Sequence, residues 1–420
     1  MEGIAYQDGR LQVDGVDLEI LASRLGTPFY VYSASSILGR YRALREAFAE
    51  LEPEIRYAVK ANSNGAILEL LLAEGCGFDL VSGGELERVL RVGADPRQLA
   101  FAGVGKQDWE IRLALEKGIG LFNIESEAEV DLLESLAQDL GCRARVALRL
   151  NPDVDPNTHE YISTGKKENK FGLAFDTAAR LVPRIQGSTL LDLKAYHVHL
   201  GSLLLEAGPY LEAVERVLSF IDEDPIRSQG IEAYDMGGGF GIRDVFGDPL
   251  DLEDLARGMC ALLKPRGWSL LLEPGRYLLG NAGLLLAEVL HRKQGHEKDF
   301  LVVDASMSEL IRPALYGAEH HVLAVREAGP HDSRPVDVVG PVCESADFLA
   351  KERFLPRMER GDLLAVTDSG AYGFTMASNY NSRSLPAEVL CHEGRARLIR
   401  RREELRDLWR NEVSEDIPLR

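Results

Sequence analysis

Four short segments of the sequence carry side chains that could do chemistry together. They are the apolar run "EIRYAVKA" (54–61) with Lys60 near its end, "HVHLGS" (197–202), "DMGGGFG" (235–241) and "EPGR" (273–276). A lysine that ends an apolar strand is either a solvated charge or a desolvated amine. A desolvated amine loses its proton more readily and can then attack an aldehyde.

The glycine run and the EPGR segment together indicate an anion site. Because glycine has no Cβ, the N–H groups of residues 237–239 can converge on a phosphate, although a plain tight turn would use the same residues. Arg276 adds a guanidinium in the next segment. We therefore expect these loops to bind a phosphate group.

A phosphate site, a lysine and a carboxylate at one place suggest pyridoxal phosphate. Lys60 would hold the aldehyde as a Schiff base, Glu273 would pair with the pyridine nitrogen, and His199 would stack on the ring. His197 lies two residues earlier on the same strand face and ranks below His199 as a candidate. An acidic partner keeps the pyridine nitrogen protonated, and the resulting electron sink suits decarboxylation.

The elements that must position these residues alternate along the chain. Between residues 34 and 275, predicted helices alternate with eight short apolar runs, at 55–59, 78–81, 99–102, 120–124, 145–150, 194–200, 233–236 and 270–273. This pattern and length predict a (β/α)₈ TIM-type barrel, in which chemistry gathers at the carboxyl ends of the strands. An open doubly wound sheet is the alternative, but its dinucleotide fingerprint is missing.

The pattern of apolar and polar residues changes after residue 280. Short apolar runs set off by Gly, Pro and Asp predict a C-terminal all-β domain. The first 30 residues begin with a hairpin-like pattern and are expected to join that domain. The expected domains are therefore 1–32, an N-terminal segment joining the β-domain, 33–278, the barrel that binds pyridoxal phosphate, and 279–420, the C-terminal β-domain.

Composition and charge argue against several classes of partner. The net charge of −19 makes nucleic-acid binding a poor fit. Five scattered cysteines without a CxxC pair indicate neither a metal site nor a disulfide framework, which favours a reducing cytoplasm. The N-terminus does not look like a signal peptide, and the apolar run 284–290 is too short to span a membrane. We expect no nucleic-acid, membrane or metal partner.

Ten motifs spread nearly from end to end resemble those of the fold type III pyridoxal-phosphate decarboxylases. In order they are "GTPFYVYS", "YAVKAN", "GFDLVSGGEL", "NPDVDPNTHEYISTGKKENKFG", "HVHLGS", "GGGFGI", "LLEPGR", "VVDASMSELIRPALY", "GPVCESADFLA" and "DSGAYGFTMASNYNSR". The segments "IRPALY" and "CESADFLA" narrow the resemblance to the diaminopimelate decarboxylases. Leu203 is a departure, since that family usually has Gln after the serine of "HVHLGS".

The resemblance implies roles for individual residues. Lys60 and Cys343 are the expected catalytic residues, and Cys343 would donate a proton to the carbanion from the second subunit of a homodimer. The cofactor would be bound by Lys60, His199, Ser202, Gly239, Glu273, Pro274, Gly275, Arg276 and Tyr372. The substrate would be bound by Arg276, Arg312, Tyr316, Glu344 and Tyr372. Taken alone, Cys343 would be read as a core cysteine, which is the usual place of a free cysteine.

The expected reaction is the decarboxylation of meso-2,6-diaminopimelate to L-lysine and CO₂, the last step of lysine biosynthesis. The distal carboxylate of this small amino-acid substrate calls for arginine and its distal ammonium for an anion, which Arg312 and Glu344 provide. The alternatives are a related decarboxylase of ornithine, arginine or a carrier-tethered amino acid, and a noncatalytic carrier of pyridoxal phosphate. Such carriers are typically single barrels, so the β-domain counts against the last.

Overall fold

The computed structural model describes residues 3–154, 170–243, 248–296, 298–327 and 334–417. The chain divides into two compact units, one of residues 37–280 and the other of residues 1–36 together with 281–420. The sequence predicted these boundaries between residues 32 and 33 and between residues 278 and 279.

The chain begins with a small antiparallel sheet. Its elements are β1 (Ile4–Gln7), β2 (Arg10–Val13) and β3 (Val16–Asp17), followed by helix α1 (Leu18–Leu25) and strand β4 (Phe29–Ser33). Asp8 and Gly9 connect β1 to β2 with positive φ at both residues, as a two-residue hairpin turn requires. The Asp17 side chain caps α1 by accepting the Glu19 N–H.

The 37–280 unit is a closed parallel barrel surrounded by helices. Its elements are α2 (Ala34–Ala47), β5 (Glu54–Ala58), α3 (Gly65–Ala73), β6 (Gly77–Leu80), α4 (Gly83–Arg91), β7 (Leu99–Phe101), α5 (Asp108–Lys117), β8 (Leu121–Ile124), α6 (Glu127–Leu140), β9 (Ala144–Arg149), α7 (Phe175–Gln186), β10 (Leu191–His197), α8 (Gly208–Asp222), β11 (Ala233–Asp235), α9 (Leu252–Leu263), β12 (Ser269–Leu272) and α10 (Arg276–Leu279). The eighth barrel strand, β12, pairs with the first, β5. This closure confirms the predicted barrel and rules out the open sheet.

The barrel interior is filled by small and aliphatic side chains. One buried cluster takes a single residue from each of six consecutive strands: Ala100, Leu121, Ala147, Ala195, Ala233 and Leu271. Such a cluster can form only where the strands face a common axis. The surrounding helices begin and end at residues typical of their positions, for example the N-cap Ser82 of α4 and the left-handed Gly118 that ends α5.

The other unit is built on a nine-stranded sheet. After the barrel come β13 (Gly283–Lys293), β14 (Asp299–Val303), α11 (Arg312–Tyr316), β15 (Val322–Ala324), β16 (Val336–Val339), β17 (Phe348–Arg353), β18 (Leu363–Val366), β19 (Ala387–His392) and β20 (Arg395–Arg400). The N-terminal strand β4 lies between β13 and β19. The β-domain therefore takes in the N-terminal segment, as predicted.

Two strands of this sheet were not predicted from the sequence. β13 covers the apolar run 284–290, and its 11 residues pair with β4, β14 and β18. β17 begins inside the motif "CESADFLA". None of the described helices combines the length and apolar character that a membrane crossing requires.

Candidate active site

The polar residues predicted at the barrel strand ends do lie there. Lys60 follows β5 within the 3₁₀ turn Val59–Ala61, one residue beyond the predicted strand end. His199 and Ser202 follow β10, the glycines follow β11, and the EPGR segment follows β12. Because parallel strands have their carboxyl ends at one rim of the barrel, these residues share that rim.

The Lys60 ammonium is paired with a buried acid on the neighbouring strand. Its Nζ lies 3.0 Å from Oδ2 of Asp79 in β6, whose side chain has no exposed surface. Burial raises the pKa of Asp79 to about 6, with a further rise from Glu273 and an opposing effect of Lys60. The Lys60 side chain is 39% exposed, so the amine is anchored by Asp79 and still reachable.

The glycine loop after β11 leaves no room for side chains. A Cβ on Gly238 would lie 2.2 Å from the carbonyl oxygen of Glu273, and a Cβ on Gly239 would lie 2.2 Å from that of Gly201. Gly237 and Gly239 also have positive φ values of 67° and 91°. The Gly237 N–H donates to Asp235 Oδ1 and the Gly238 N–H to His199 Nδ1, so among the three glycines it is the N–H of Gly239 that would meet a phosphate.

The loops after β10 and β11 are joined by backbone hydrogen bonds. The Leu204 N–H donates to the Gly239 carbonyl at 3.0 Å, and the Gly241 N–H donates to the Leu204 carbonyl at 2.8 Å. Leu203, the departure noted in the sequence, has a φ of 62°, a left-handed conformation that is uncommon for leucine. The bonds made by Leu204 hold the chain in this shape.

The EPGR segment packs into the same rim. Arg276 is buried, and its Nε donates to Ser202 Oγ at 3.1 Å. The Pro274 carbonyl accepts the Ala58 N–H at 3.1 Å, which joins the end of β12 to the end of β5 beside Lys60. Gly275 precedes the short helix α10 that starts at Arg276.

Glu273 lies at the centre of a buried polar group. Asn123 Nδ2 donates to its Oε1 at 3.2 Å, and His197 Nε2 lies 3.3 Å from its Oε2 in an ion-pair contact that is not aligned as a hydrogen bond. Burial alone would raise the pKa of Glu273, but His197 and Lys60 outweigh burial and lower it well below its usual range. Glu273 is therefore an anion, as required of a partner for a protonated pyridine nitrogen.

Asp235 and His197 complete this buried group. Burial and the charge of Glu273 raise the pKa of Asp235 to about 8. Burial would lower the pKa of His197, but Glu273 and Asp235 raise it above its ordinary value. Ligand atoms of His197, Asp235 and Glu273 lie within 4.8 Å of one another. With an imidazolium at His197 and a proton on Asp235, the three side chains together carry little net negative charge. This favours a network that shares protons over a site that binds a cation.

The two histidines of "HVHLGS" have different environments. His199 Nδ1 accepts the Gly238 N–H at 3.2 Å. Burial, with Arg149 and Lys60, lowers the pKa of His199 well below its usual value, so the ring is neutral. A neutral imidazole is suited to stacking on an aromatic ring, whereas His197 supports Glu273 directly. His197 thus contacts Glu273 directly, although the sequence ranked it below His199 as a candidate.

Several polar residues of this rim were not predicted from the sequence as site residues. Asn123 is the last residue but one of β8 and Asp235 is the last residue of β11, and a polar residue near the end of each apolar run was the available signal. Arg149 Nη1 contacts both carboxylate oxygens of Glu125, at 3.0 and 2.9 Å. Glu125 also accepts the N–H groups of Gly103 and Gly172. This buried pair ties together the loops after β7, β8 and β9.

The remaining predicted residues belong to the β-sheet unit. Arg312 is buried at the start of α11, and Tyr316 ends that helix. Cys343 and Glu344 are exposed in a turn, where the Cys343 N–H donates to Asn381 Oδ1 at 3.0 Å. All five cysteines are free. Part of the motif "NPDVDPNTHEYISTGKKENKFG", residues 155–169, lies outside the described residues.

The turn that carries Cys343 is held from two sides. Asp347 accepts the Val342 N–H and the Met307 N–H, each at 2.7 Å. Backbone strain accumulates in the segment that supplies Asn381, where four non-glycine residues have positive φ: Asp368, Tyr372, Asn381 and Ser382. Such conformations cost about 1–3 kcal/mol each and cluster at functional sites.

The barrel rim fits pyridoxal phosphate. The glycine loop approaches the backbone of Glu273 and Gly201 too closely for any side chain, Glu273 is a buried anion, and Lys60 is a reachable amine. Buried oxygens of Asp79, Asn123 and Asp235 also have no hydrogen-bond partner among the described residues. A ring nitrogen, an aldehyde and a phosphate have matching protein groups at this rim.

Comparisons with known proteins agree with this geometry. Residues 34–280 match the family model described as the pyridoxal binding domain of pyridoxal-dependent decarboxylases. A diaminopimelate decarboxylase of Pseudomonas aeruginosa is 46% identical over 414 residues, covering 98% of this chain and 99% of that protein. A crystal structure of diaminopimelate decarboxylase from Helicobacter pylori with L-lysine is 39% identical, with a TM-score of 0.90, covering 94% of this chain and 98% of that one. The enzyme from M. jannaschii, also solved with L-lysine, is 36% identical, with a TM-score of 0.93 and coverages of 99% and 98%.

Proposed function

Because the chain belongs to the pyridoxal-dependent decarboxylases and, among them, to the diaminopimelate decarboxylases, we propose that the barrel rim is its active site. The enzyme is a carboxy-lyase that uses pyridoxal phosphate. It converts meso-2,6-diaminopimelate into L-lysine and CO₂, the last step of lysine biosynthesis. The observation that carries the site assignment is the convergence of a reachable lysine, an ionised buried glutamate and a closely packed glycine loop on one rim.

When bound, pyridoxal phosphate supplies an aldehyde for the substrate amine and a protonated ring that takes up the electron pair left when CO₂ departs. Lys60 Nζ would hold the aldehyde, and Asp79 at 3.0 Å keeps that amine in place. Glu273 would face the ring nitrogen as an anion, and the neutral His199 would lie against the ring. The charge states and contacts of the side chains support these roles.

The phosphate would be bound by the glycine loop and its neighbours. Gly239 lies in the loop that a Cβ would block, with Ser202 close by through its bond to Arg276. Pro274 and Gly275 lead the chain from Glu273 to Arg276. The N–H groups and hydroxyl match the acceptor oxygens of a phosphate.

For the substrate we propose contacts from Arg276, Arg312, Tyr316, Glu344 and Tyr372, with Tyr372 also touching the cofactor. A diacid with two amino groups calls for guanidinium at the distal carboxylate and for carboxylate at the distal ammonium. The buried position of Arg312 at the start of α11 supports this role, because a guanidinium forms bidentate, charge-assisted hydrogen bonds with a carboxylate. The positive φ of Tyr372, 55°, supports a functional constraint at that residue.

We further propose a cytoplasmic homodimer in which Cys343 of one subunit serves the site of the other as proton donor. The exposure of Cys343 supports a role outside the core of its own subunit. The five free cysteines agree with a reducing compartment.

The direct test combines a lysine variant with a comparison of substrates. We expect Lys60→Ala to lose both the visible absorbance of bound pyridoxal phosphate and all CO₂ release, because the Lys60 amine is the group proposed to hold the aldehyde. Lys264→Ala removes an exposed lysine paired with Glu50 and is the matched control, expected to behave as wild type. Turnover by Lys60→Ala without added amine would overturn the assignment.

The same assay should separate the substrates. Turnover of meso-diaminopimelate, L-lysine and L-ornithine is measured with added pyridoxal phosphate. We expect the diacid to be preferred by about 10⁴-fold, because the other two leave a buried guanidinium without its carboxylate. Comparable turnover of ornithine would instead indicate a broader decarboxylase.

A further inference from the structure

The charge of Glu273 needs support that Lys60 cannot supply throughout the reaction. Glu273 is buried in the barrel, and an isolated buried carboxylate is costly unless it is paired. Lys60 lowers the pKa of Glu273 but is committed to exchange between cofactor and substrate. A cation that takes no part in this exchange would keep the carboxylate ionised at every stage.

His197 is placed to be that cation. Its side chain is 1% exposed, and its Nε2 lies 3.3 Å from Glu273 Oε2. Its Nδ1 has no hydrogen-bond partner among the described residues, so neighbouring hydrogen bonds do not dictate a neutral tautomer. The acidic neighbours Glu273 and Asp235 both favour the imidazolium, whereas Arg149 opposes it.

Asp235 is placed to act as a neutral acid. Its Oδ1 accepts the Gly237 N–H at 2.9 Å, while its buried Oδ2 receives no donor from the described residues. Two carboxylates this close do not both ionise. With a proton on Oδ2, Asp235 can donate a hydrogen bond to Glu273, an interaction that lowers the pKa of Glu273.

We propose that His197 and Asp235 are positioning residues for Glu273, His197 as a permanent imidazolium and Asp235 as a carboxylic acid that donates to it. This inference rests on the proposed function, since it concerns the carboxylate assigned to the ring nitrogen. The other groups that act on the three residues are Lys60, Asp79, Asn123, Arg149, Arg56 and the neutral His199. None of them combines a permanent charge with contact to Glu273.

The test measures pyridoxal phosphate binding to the apoenzyme and the absorbance of the bound cofactor between pH 6 and 9.5. The variants are His197→Gln, Asp235→Asn, Asp235→Ala and, as a reference, Glu273→Gln. Tyr196→Phe is the control for general damage to β10, because the Tyr196 hydroxyl bonds the Arg227 carbonyl and does not contact Glu273. Thermal unfolding of each apoenzyme separates loss of fold from loss of binding.

We expect His197→Gln to weaken cofactor binding by about 10- to 100-fold, because Glu273 loses its buried ion-pair partner, and to change the pH dependence of the cofactor absorbance. Asp235→Asn keeps a donor and a neutral group, so binding near pH 7 should stay close to wild type. Wild-type affinity should fall above about pH 8, where Asp235 ionises beside Glu273. That fall should be absent in Asp235→Asn, and Asp235→Ala should bind more weakly than Asp235→Asn at pH 7.

The proposal would be overturned if a folded His197→Gln variant bound pyridoxal phosphate with wild-type affinity and an unchanged absorbance titration. It would also be overturned if Asp235→Asn bound the cofactor as weakly as Asp235→Ala. The reference variant separates this failure from a larger one. If Glu273→Gln itself binds cofactor with unchanged absorbance, the role of Glu273 in the proposed function fails. If Glu273→Gln is impaired and His197→Gln is not, only the present inference fails.

Discussion

At the scale of single residues, the environment assigns different charge states to acids of the same rim. The pKa of Glu273 is lowered, whereas burial raises the pKa of Asp79 to about 6 and that of Asp235 to about 8. The difference arises because Glu273 is in ion-pair contact with His197 and also faces Lys60. At neutral pH Asp235 is protonated while Glu273 stays an anion, as a pyridinium partner requires.

Asn381 is a residue-scale candidate for positioning the proposed proton donor. Its Oδ1 accepts the Cys343 N–H, and it occupies a left-handed conformation at φ 56° that asparagine tolerates better than most residues. Asn381→Gly keeps that conformation and removes only the acceptor. We expect Asn381→Gly to lower kcat by about 10-fold with unchanged cofactor affinity, measured by CO₂ release and cofactor titration.

The matched variant is Asn381→Asp, which keeps an acceptor oxygen at the same place. It should retain most of the activity. Equal activities for the Gly and Asp variants would show that the hydrogen bond to Cys343 does not position the turn.

At the scale of elements, the site depends on the fit between loops that follow neighbouring strands. The glycine loop after β11 touches the backbone of Glu273 after β12 and of Gly201 after β10. Backbone atoms cannot move aside as a flexible side chain can, so this fit leaves no tolerance for an added methyl group.

Gly238→Ala tests this close approach. Its Cβ would meet the Glu273 carbonyl oxygen at 2.2 Å, so we expect a loss of about 1–3 kcal/mol in the free energy of unfolding and strongly reduced cofactor binding. Chemical denaturation and cofactor titration measure both effects. Gly84→Ala in the exposed part of α4 meets only Ser82 Oγ at 3.8 Å and should be neutral or stabilising. Equal behaviour of the two variants would contradict the steric argument.

At the scale of the whole molecule, the proposed site residues divide between the two compact units. The cofactor residues of the barrel belong to one unit, while Arg312, Tyr316, Cys343, Glu344 and Tyr372 belong to the other. A symmetric dimer provides two copies of each set. The proposed exchange of Cys343 between subunits therefore predicts complementation between variants.

Lys60→Ala and Cys343→Ala chains with different tags can be co-expressed and the mixed dimers purified. We expect about half of wild-type turnover per dimer, because one of its two sites would unite an intact barrel with an intact Cys343 from the partner. Dimers that mix Lys60→Ala with Glu273→Gln are the control and should stay inactive, since both changes affect the barrel set. A Lys60→Ala and Cys343→Ala dimer without recovered turnover would contradict a shared site.

Local patterns in the sequence were sufficient to predict most helices and strands and the types of residue in the site. Apolar runs separated by helical segments predict eight strands and hence a closed barrel, because period and length are local properties. The same patterns place Lys60, His199 and Glu273 at strand ends. The long strand β13 was missed because its continuous apolar run lacks the alternation that identifies a half-buried strand.

Only the tertiary structure decided which polar residues meet and which charges they carry. His197, Asn123 and Asp235 come from three different strands and converge on Glu273, and no local pattern encodes distances between strands. Burial and neighbouring charge set the pKa of each group, and both depend on the folded chain. The sequence determined which chemistry was available, and the closed barrel decided which carboxylate remains charged to perform it.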